Sequence, residues 1–332
     1  MANGAVVLLS ETAMPDPNGE DFCEFNAHRP SRTNHQCLAA VWRDGRLTAL
    51  PTLPGGNNAE AFFVNAGGEA VGVSETGIPD ATCATPFQVR RFEAVKWSPT
   101  GAPAPLRPLD GDTVSFAFGI NNVGQAVGMS GLCSNVILPP FVPGGPTAPH
   151  AVFWDTDGTP HNLNPAGSII NVANSINNRG DVALNSTTSD GVTHAVLWRM
   201  GSGAPQELGT YPNGAVQTVV PCCNNINDHG QIAGFSVDAD GNLTALLWPS
   251  ENSTPVDLNS LLPADSPWFL LPPGGINNAG QIATSAFNVN TSEVHAVLLS
   301  PVHGNGPAAR GATKAPALPE HVLKFPHKGL FR

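Results

Sequence analysis

The first residues that could do chemistry are serines in Gly-x-Ser triplets, at Gly72–Ser74, Gly128–Ser130 and Gly234–Ser236. A nucleophile elbow needs Gly-x-Ser-x-Gly between a strand and a helix. Here the serine recurs at one position of a strand pair, which makes it structural. Asp155, Asp157 and Gly158 form Asp-x-Asp-Gly, as do Asp238, Asp240 and Gly241. Closely spaced carboxylates can bind calcium, but the fuller ligand series is missing and hairpin turns account for both. His150, His194 and His295 recur at one position and read as packing or capping groups. A polar mixture of Glu20, Asp21, Glu24, His28, Arg29, Arg32 and His35 lies in one long loop, and Arg90 and Arg91 follow another. These nine residues are the candidate ligand-binding face. No phosphate-cradling glycine loop and no basic-aromatic stripe is present. The reading therefore assigns no catalytic residue and no cofactor, with calcium at the acidic turns as the one metal chemistry to test.

Composition narrows the partners. The 332 residues carry a formal charge of −11, which argues against nucleic acid and anionic membranes as ligands. No apolar run is long enough to span a bilayer. Hydrophobic residues make up 41%, enough for a sizeable core. With 35 Gly and 32 Pro, every candidate helical window is interrupted.

The elements that must position these residues come from an internal repeat. INNVGQAVGMS (120–130), INNRGDVALNS (176–186), INDHGQIAGFS (226–236) and INNAGQIATSA (276–286) are variants of one phrase, with a weaker copy VNAGGEAVGVS at 64–74. Between them lie HAVFW (150–154), HAVLW (194–198) and HAVLL (295–299), with looser copies at 38–42, 93–97 and 244–248. NGAVVLLSETAMPD (3–16) matches GGEAVGVSETGIPD (67–80), so the series begins near Met1. Taking Gly4, Gly68, Gly124, Gly180, Gly230 and Gly280 as one position, the steps are 64, 56, 56, 50 and 50.

Each unit reads as four short strands. A small apolar run leads into an Asn-Asn-x-Gly turn, where Asn and Gly tolerate positive φ. An alternating strand follows, then a loop of variable length, then the HAVLW strand, a polar turn and a fourth strand ending in Leu. Six such units specify an all-β protein, a β-propeller of six blades of about four antiparallel strands. Five closed blades with a spare hairpin is the alternative. Trp42, Trp97, Trp154, Trp198 and Trp248 are expected to pack between blades. Asn121, Asn177, Asn227 and Asn277 are expected to tie turns through side-chain hydrogen bonds.

The GINNxGQxVG and HAxLW phrases resemble the HAF-type repeat of bacterial extracellular proteins across residues 1–300. The resemblance implies a secreted or cell-surface, propeller-like protein. It supplies no reaction and no catalytic residues. Leu38, Glu93 and Thr244 replace the first His of the pattern, which disfavours a functional histidine ring.

The first unit lacks a leading strand and the sixth a clear fourth strand. A composite blade closed by strands from both ends is therefore expected. The alternative is a leading strand and signal peptide upstream of this sequence. AVVLL (5–9) aligns with a repeat strand and is not read as a signal peptide. The connection from second to third strand spans 29 positions from Ser10 to Ala39, 20 from Ser74 to Ala94, and 21 from Ser130 to Ala151. It spans 9 from Ser186 to Ala195 and from Ser236 to Ala245. Strand alternation places the three long loops at one end of their blades, where binding surfaces usually arise.

Cys23 and Cys37 lie in the first long loop, Cys83 in the second and Cys133 in the third, while Cys222 and Cys223 precede the fifth Asn turn. Cys23–Cys37 and Cys83–Cys133 are the favoured disulfides, implying an oxidising compartment. Residues 301–332 hold five basic residues and one acidic, and read as a flexible tail after a propeller domain of 1–300. The functional expectation is a monomeric extracellular, surface or periplasmic module that binds a protein or glycan through its long loops. A carbohydrate-active hydrolase or lyase with a polar channel, and a structural envelope protein, are the alternatives.

Overall fold

The computed structural model describes residues 4–20, 22, 33–83, 88–136, 149–211, 215–250, 252–263 and 265–301. Its strands form six antiparallel sheets, each running in chain order. The first sheet comprises Val6–Pro15, His35–Arg43 and Arg46–Ala49. The second holds Ala59–Val64, Ala70–Pro79, Arg90–Trp97 and Pro103–Leu106. The third has Val114–Ile120, Ala126–Gly131, His150–Trp154 and Pro160–Asn162. The fourth has Ser168–Ile176, Val182–Thr188, Thr193–Trp198 and Gln206–Glu207, and the fifth Ala215–Val219, Ile232–Asp238, Leu243–Trp248 and Val256–Asp257. The sixth has Trp268–Ile276, Ile282–Asn288 and Glu293–Leu299. The protein is all-β and of the β-propeller type, and each of these sheets is one blade. The composite blade is not what the described residues form. The first sheet draws its three strands from residues 6–49 and the sixth from 268–299.

The chain divides into two compact units, Met1–Asn164 with Ile169–Ala173, and Pro165–Ser168 with Asn174–Arg332. In both, one packing rule repeats. In the third strand of a blade the alanine faces the next blade, while the residues one and three further on face the previous one. Ala39 of the first sheet thus meets Val95 and Trp97 of the second. Ala94 of the second meets Val152 and Trp154 of the third. In the other unit, Ala195 of the fourth sheet meets Leu246 and Trp248 of the fifth. A small residue opposite a large one lets neighbouring sheets close without a void. Trp97, Trp154 and Trp248 are fully buried, and each indole Nε1 donates over 2.8 Å to a carbonyl in the exit of the preceding blade, that of Pro51, Arg107 or Gly209. Trp198 is half-buried. Trp42 departs from the packing expected of it and is 43% exposed. It lies on the opposite face of its strand from Ala39 and Val41, which pack toward the second sheet.

The repeated asparagines link blades as well as turns. Asn65 Nδ2 donates to the Asn121 carbonyl, Asn177 Nδ2 to that of Asn227, and Asn227 Nδ2 to that of Asn277, each over 3.0 Å. Within its own turn, Asn227 Oδ1 accepts from the His229 and Gln231 amides. Gly68, Gly124, Gly180, Gly230 and Gly280 close these turns at φ between 72° and 88°, a region costly for residues with a Cβ.

The Gly-x-Ser triplets also have a backbone explanation. A Cβ on Gly72 would lie 1.9 Å from the Glu60 carbonyl oxygen, and one on Gly128 1.8 Å from that of Phe116. Both glycines face a bulge in the preceding strand. The following Ser74 and Ser130 are fully buried, and Ser74 Oγ accepts from the Leu53 amide over 2.8 Å.

Candidate functional site: the sutured loops of the first unit

Two copies of Ser-Glu-Thr-x-x-Pro-Asp carry the chain out of the first and second sheets. Each strand bulges at the motif, between Glu11 and Pro15 and between Glu75 and Pro79. Bulges re-aim side chains. Here they turn Met14 and Ile78, the same repeat position in both copies, into solvent at 56% and 51% exposure. Each motif ends on an aspartate that folds the loop back. Asp16 Oδ1 accepts from the Asn18 and Glu20 amides, and Asp80 Oδ1 accepts from the Thr82 amide.

The loops are then fastened to one another. A disulfide joins Cys83 in the second loop to Cys133 in the third. Thr82 Oγ1 accepts from the Cys133 amide over 3.0 Å and donates to Asp80 Oδ1 over 2.7 Å. Phe22, from the first loop, is fully buried in a cluster with Val73 and Phe92 of the second sheet and Phe116 and Met129 of the third. Cys37 is disulfide-bonded. Its expected partner Cys23 lies outside the described residues, as do Asp21, Glu24, His28, Arg29 and Arg32 of the candidate face.

Glu20 was expected on the binding face, and the structure corrects this. Its side chain is fully buried. Its Oε1 accepts from the Val89 and Arg90 amides over 2.6 and 2.8 Å, so it binds the first loop to the third strand of the second sheet. With it are Asp16 and Glu75, all three carboxylates lying within 4.8 Å of one another. Asp16 Oδ2 accepts from Asn58 Nδ2, Glu75 Oε2 from the Asn57 and Asn58 amides, and Glu75 Oε1 from Gln88 Nε2. Burial, and next the charge of Glu20, push the Glu75 carboxyl up to about 8, so it holds a proton at neutral pH. The separation of these residues in sequence hid the cluster. The signal that could have found it is the repeated motif, which places Glu11 and Glu75 at one position. Glu11 stays exposed and pairs with His35 over 3.0 Å, whereas Glu75 is turned inward.

The other polar candidates disperse. The Arg90 guanidinium donates to the Gly55 carbonyl. Arg91 lies near Asp80 and Glu93 and offsets part of the burial cost of each carboxylate. Asp155 and Asp157 both accept from the Thr159 amide, and Asp238 accepts from the Asp240 and Asn242 amides, each within one exposed hairpin turn. His150 pairs with Asp112, His194 with Glu207 and His295 with Glu293. Cys222 and Cys223 are joined to each other by a disulfide just after the first strand of the fifth sheet.

No family model matches the chain, and no curated protein matches it. It is similar in structure to TolB from Acinetobacter baumannii at 11% identity, with a TM-score of 0.47 over 89% of this chain and 63% of that one. It spans less than two thirds of that TolB. It is also similar to a prolyl endopeptidase at 9% identity, with a TM-score of 0.48 over 90% of this chain and 43% of that one. A gluconolactonase from Xanthomonas campestris is similar at 12% identity, with a TM-score of 0.38 over 80% of this chain and 79% of that one. No described helix is long and apolar enough to cross a membrane.

Proposed function

We propose that the protein is an extracellular or periplasmic binding module of the HAF-repeat type that holds a protein partner on the loops of its first three blades. The observation that carries this reading is the fastening of those loops by the Cys83–Cys133 disulfide and the buried Phe22 and Glu20. Ordering a loop before its partner arrives removes an entropic cost from binding. The exposed apolar residues Met14 and Ile78, each followed by a proline paired with a polar residue (Pro15 with His35, Pro79 with Arg90), suit a protein surface, because interfaces combine apolar anchors with polar groups. The Cys83–Cys133 disulfide favours an oxidising compartment. The buried carboxylates Asp16, Glu20 and Glu75 lend the hydrolase alternative no support.

The full chain, probed on arrays of extracellular proteins and of glycans, is expected to capture a protein ligand. The double variant Met14→Asp/Ile78→Asp should weaken that capture about tenfold or more. Val123→Asp, an exposed change in an Asn turn at the opposite blade end, should leave it intact. Capture of glycans alone, or binding indifferent to the double variant, would refute the assignment.

A further inference from the structure

A cavity of about 640 Å³ opens between the first and second sheets, within the first unit. That volume falls in the range of about 300–1,000 Å³ that small-molecule sites occupy. Val41, Leu50 and Pro51 give it apolar walls, and Thr48 and Ser98 add hydroxyls. Its positive charge comes from one hairpin. Arg43 and Arg46 are partners across the two strands, and both line the cavity. Like charges directly opposite each other repel. Among the described residues neither guanidinium is in an ion pair, and Asp44 in the turn between them pairs with neither. Arg43 Nε is also shut off from water with no acceptor. The other blades supply an independent comparison. A cation covers the turn glycine of the next blade at three seams. A Cβ on Gly68 would lie 2.7 Å from Arg43 Nη2, one on Gly124 3.8 Å from Lys96 Nζ, and one on Gly230 2.9 Å from Arg179 Nη2. Lys96 donates to the Gly124 and Thr156 carbonyls over 3.2 and 3.1 Å, and Arg179 pairs with Asp181 over 2.7 Å. Arg43, at the seam that holds the cavity, has no such partner among the described residues. A partly buried cation without a counter-group is stabilised by an anion that comes from outside the chain.

We propose that this cavity binds a small organic carboxylate, held by Arg43 with Arg46 beside it. A guanidinium matches a carboxylate with two parallel hydrogen bonds. Two arginines against the one carboxylate of Asp44 leave a single positive charge, which balances a monocarboxylate and not a doubly charged phosphate. The apolar walls suit an organic body and not a bare inorganic ion. The site does not depend on the identity of the loop ligand, since neither Met14 nor Ile78 lines the cavity.

The test titrates the full chain by calorimetry with glucuronate and with N-acetyl-leucine, in a buffer free of carboxylates. Saturable binding of one or both is expected. The neutral counterparts glucose and N-acetyl-leucinamide should bind about tenfold or more weakly. Glucuronate alone would mark the source as an acidic sugar, and N-acetyl-leucine alone as an amino acid. Arg43→Gln should weaken binding about tenfold or more, and Arg46→Gln, on the exposed hairpin, in the same direction. Arg199→Gln removes the same charge at the equivalent position of the fourth sheet and should change nothing. Binding of neither carboxylate, equal binding of the neutral counterparts, or sulfate bound as tightly as the carboxylates would overturn the proposal. An equal loss in Arg199→Gln would also overturn it, by reducing the effect to net charge. Should Arg43→Gln fail to fold, Arg46→Gln and Arg199→Gln decide. Failure here with protein capture intact would refute this site and leave the binding role standing.

Discussion

Replacing Cys83 and Cys133 together by serine lowers the stability of the first unit by about 4 kcal/mol. That figure follows from the chain entropy released when a crosslink spanning 50 positions is removed. The change touches only the loop end of the blades, so the strand pairing and the Trp97 and Trp154 seams should survive it. Urea unfolding followed by circular dichroism, with and without reductant on the wild-type chain, checks the value. Reduction, which also opens the Cys37 and Cys222–Cys223 disulfides, should cost the wild-type chain at least as much as the variant loses. A loss below about 1 kcal/mol would mean that hydrogen bonds such as Cys133 amide to Thr82 already order the loops.

Trp97→Ala is the second large effect, also about 4 kcal/mol. The indole is fully buried between the first and second blades, against Ala39, Leu50, Leu53 and Ala59. Removing it leaves a cavity that the small alanines cannot fill. It also strips the Pro51 carbonyl of its donor. Trp42→Ala, at the same repeat position, should cost far less, because that ring is 43% exposed. Equal losses in the two variants would contradict the packing rule that alternates small and large residues between blades.

Much of this architecture was legible in the sequence because repeats convert local signals into global ones. Asn-x-x-Gly and HAVLW fixed where each turn and third strand fall, and the cysteine positions within the long loops pointed to Cys83–Cys133. What was not legible depends on which blade stands beside a given residue. Trp42 and Trp97 have the same local sequence role, yet one is wet and the other buried, since burial belongs to the neighbouring sheet. Glu11 and Glu75 diverge for the same reason. Glu20 looked like a solvated loop acid. Its burial comes from Asp16 turning the chain back so that Glu20 can reach amides 69 and 70 positions away. No periodicity in a single loop encodes such a contact. Among the described residues the composite blade does not form, because strand pairing and not the repeat sets which strands join the first and sixth sheets.

The central claim is that the described parts of the long loops of the first unit, residues 16–20, 22, 80–83 and 131–136, are held in place in the absence of any partner. Hydrogen exchange on the free, oxidised protein tests it at the amides of Val89, Arg90, Asn58 and Cys133, all of which donate into the loop fastenings. Such fastening predicts protection at these amides comparable with that of the central strand Ala70–Pro79. Exchange there as fast as in unstructured peptide, with the strand still protected, would contradict it.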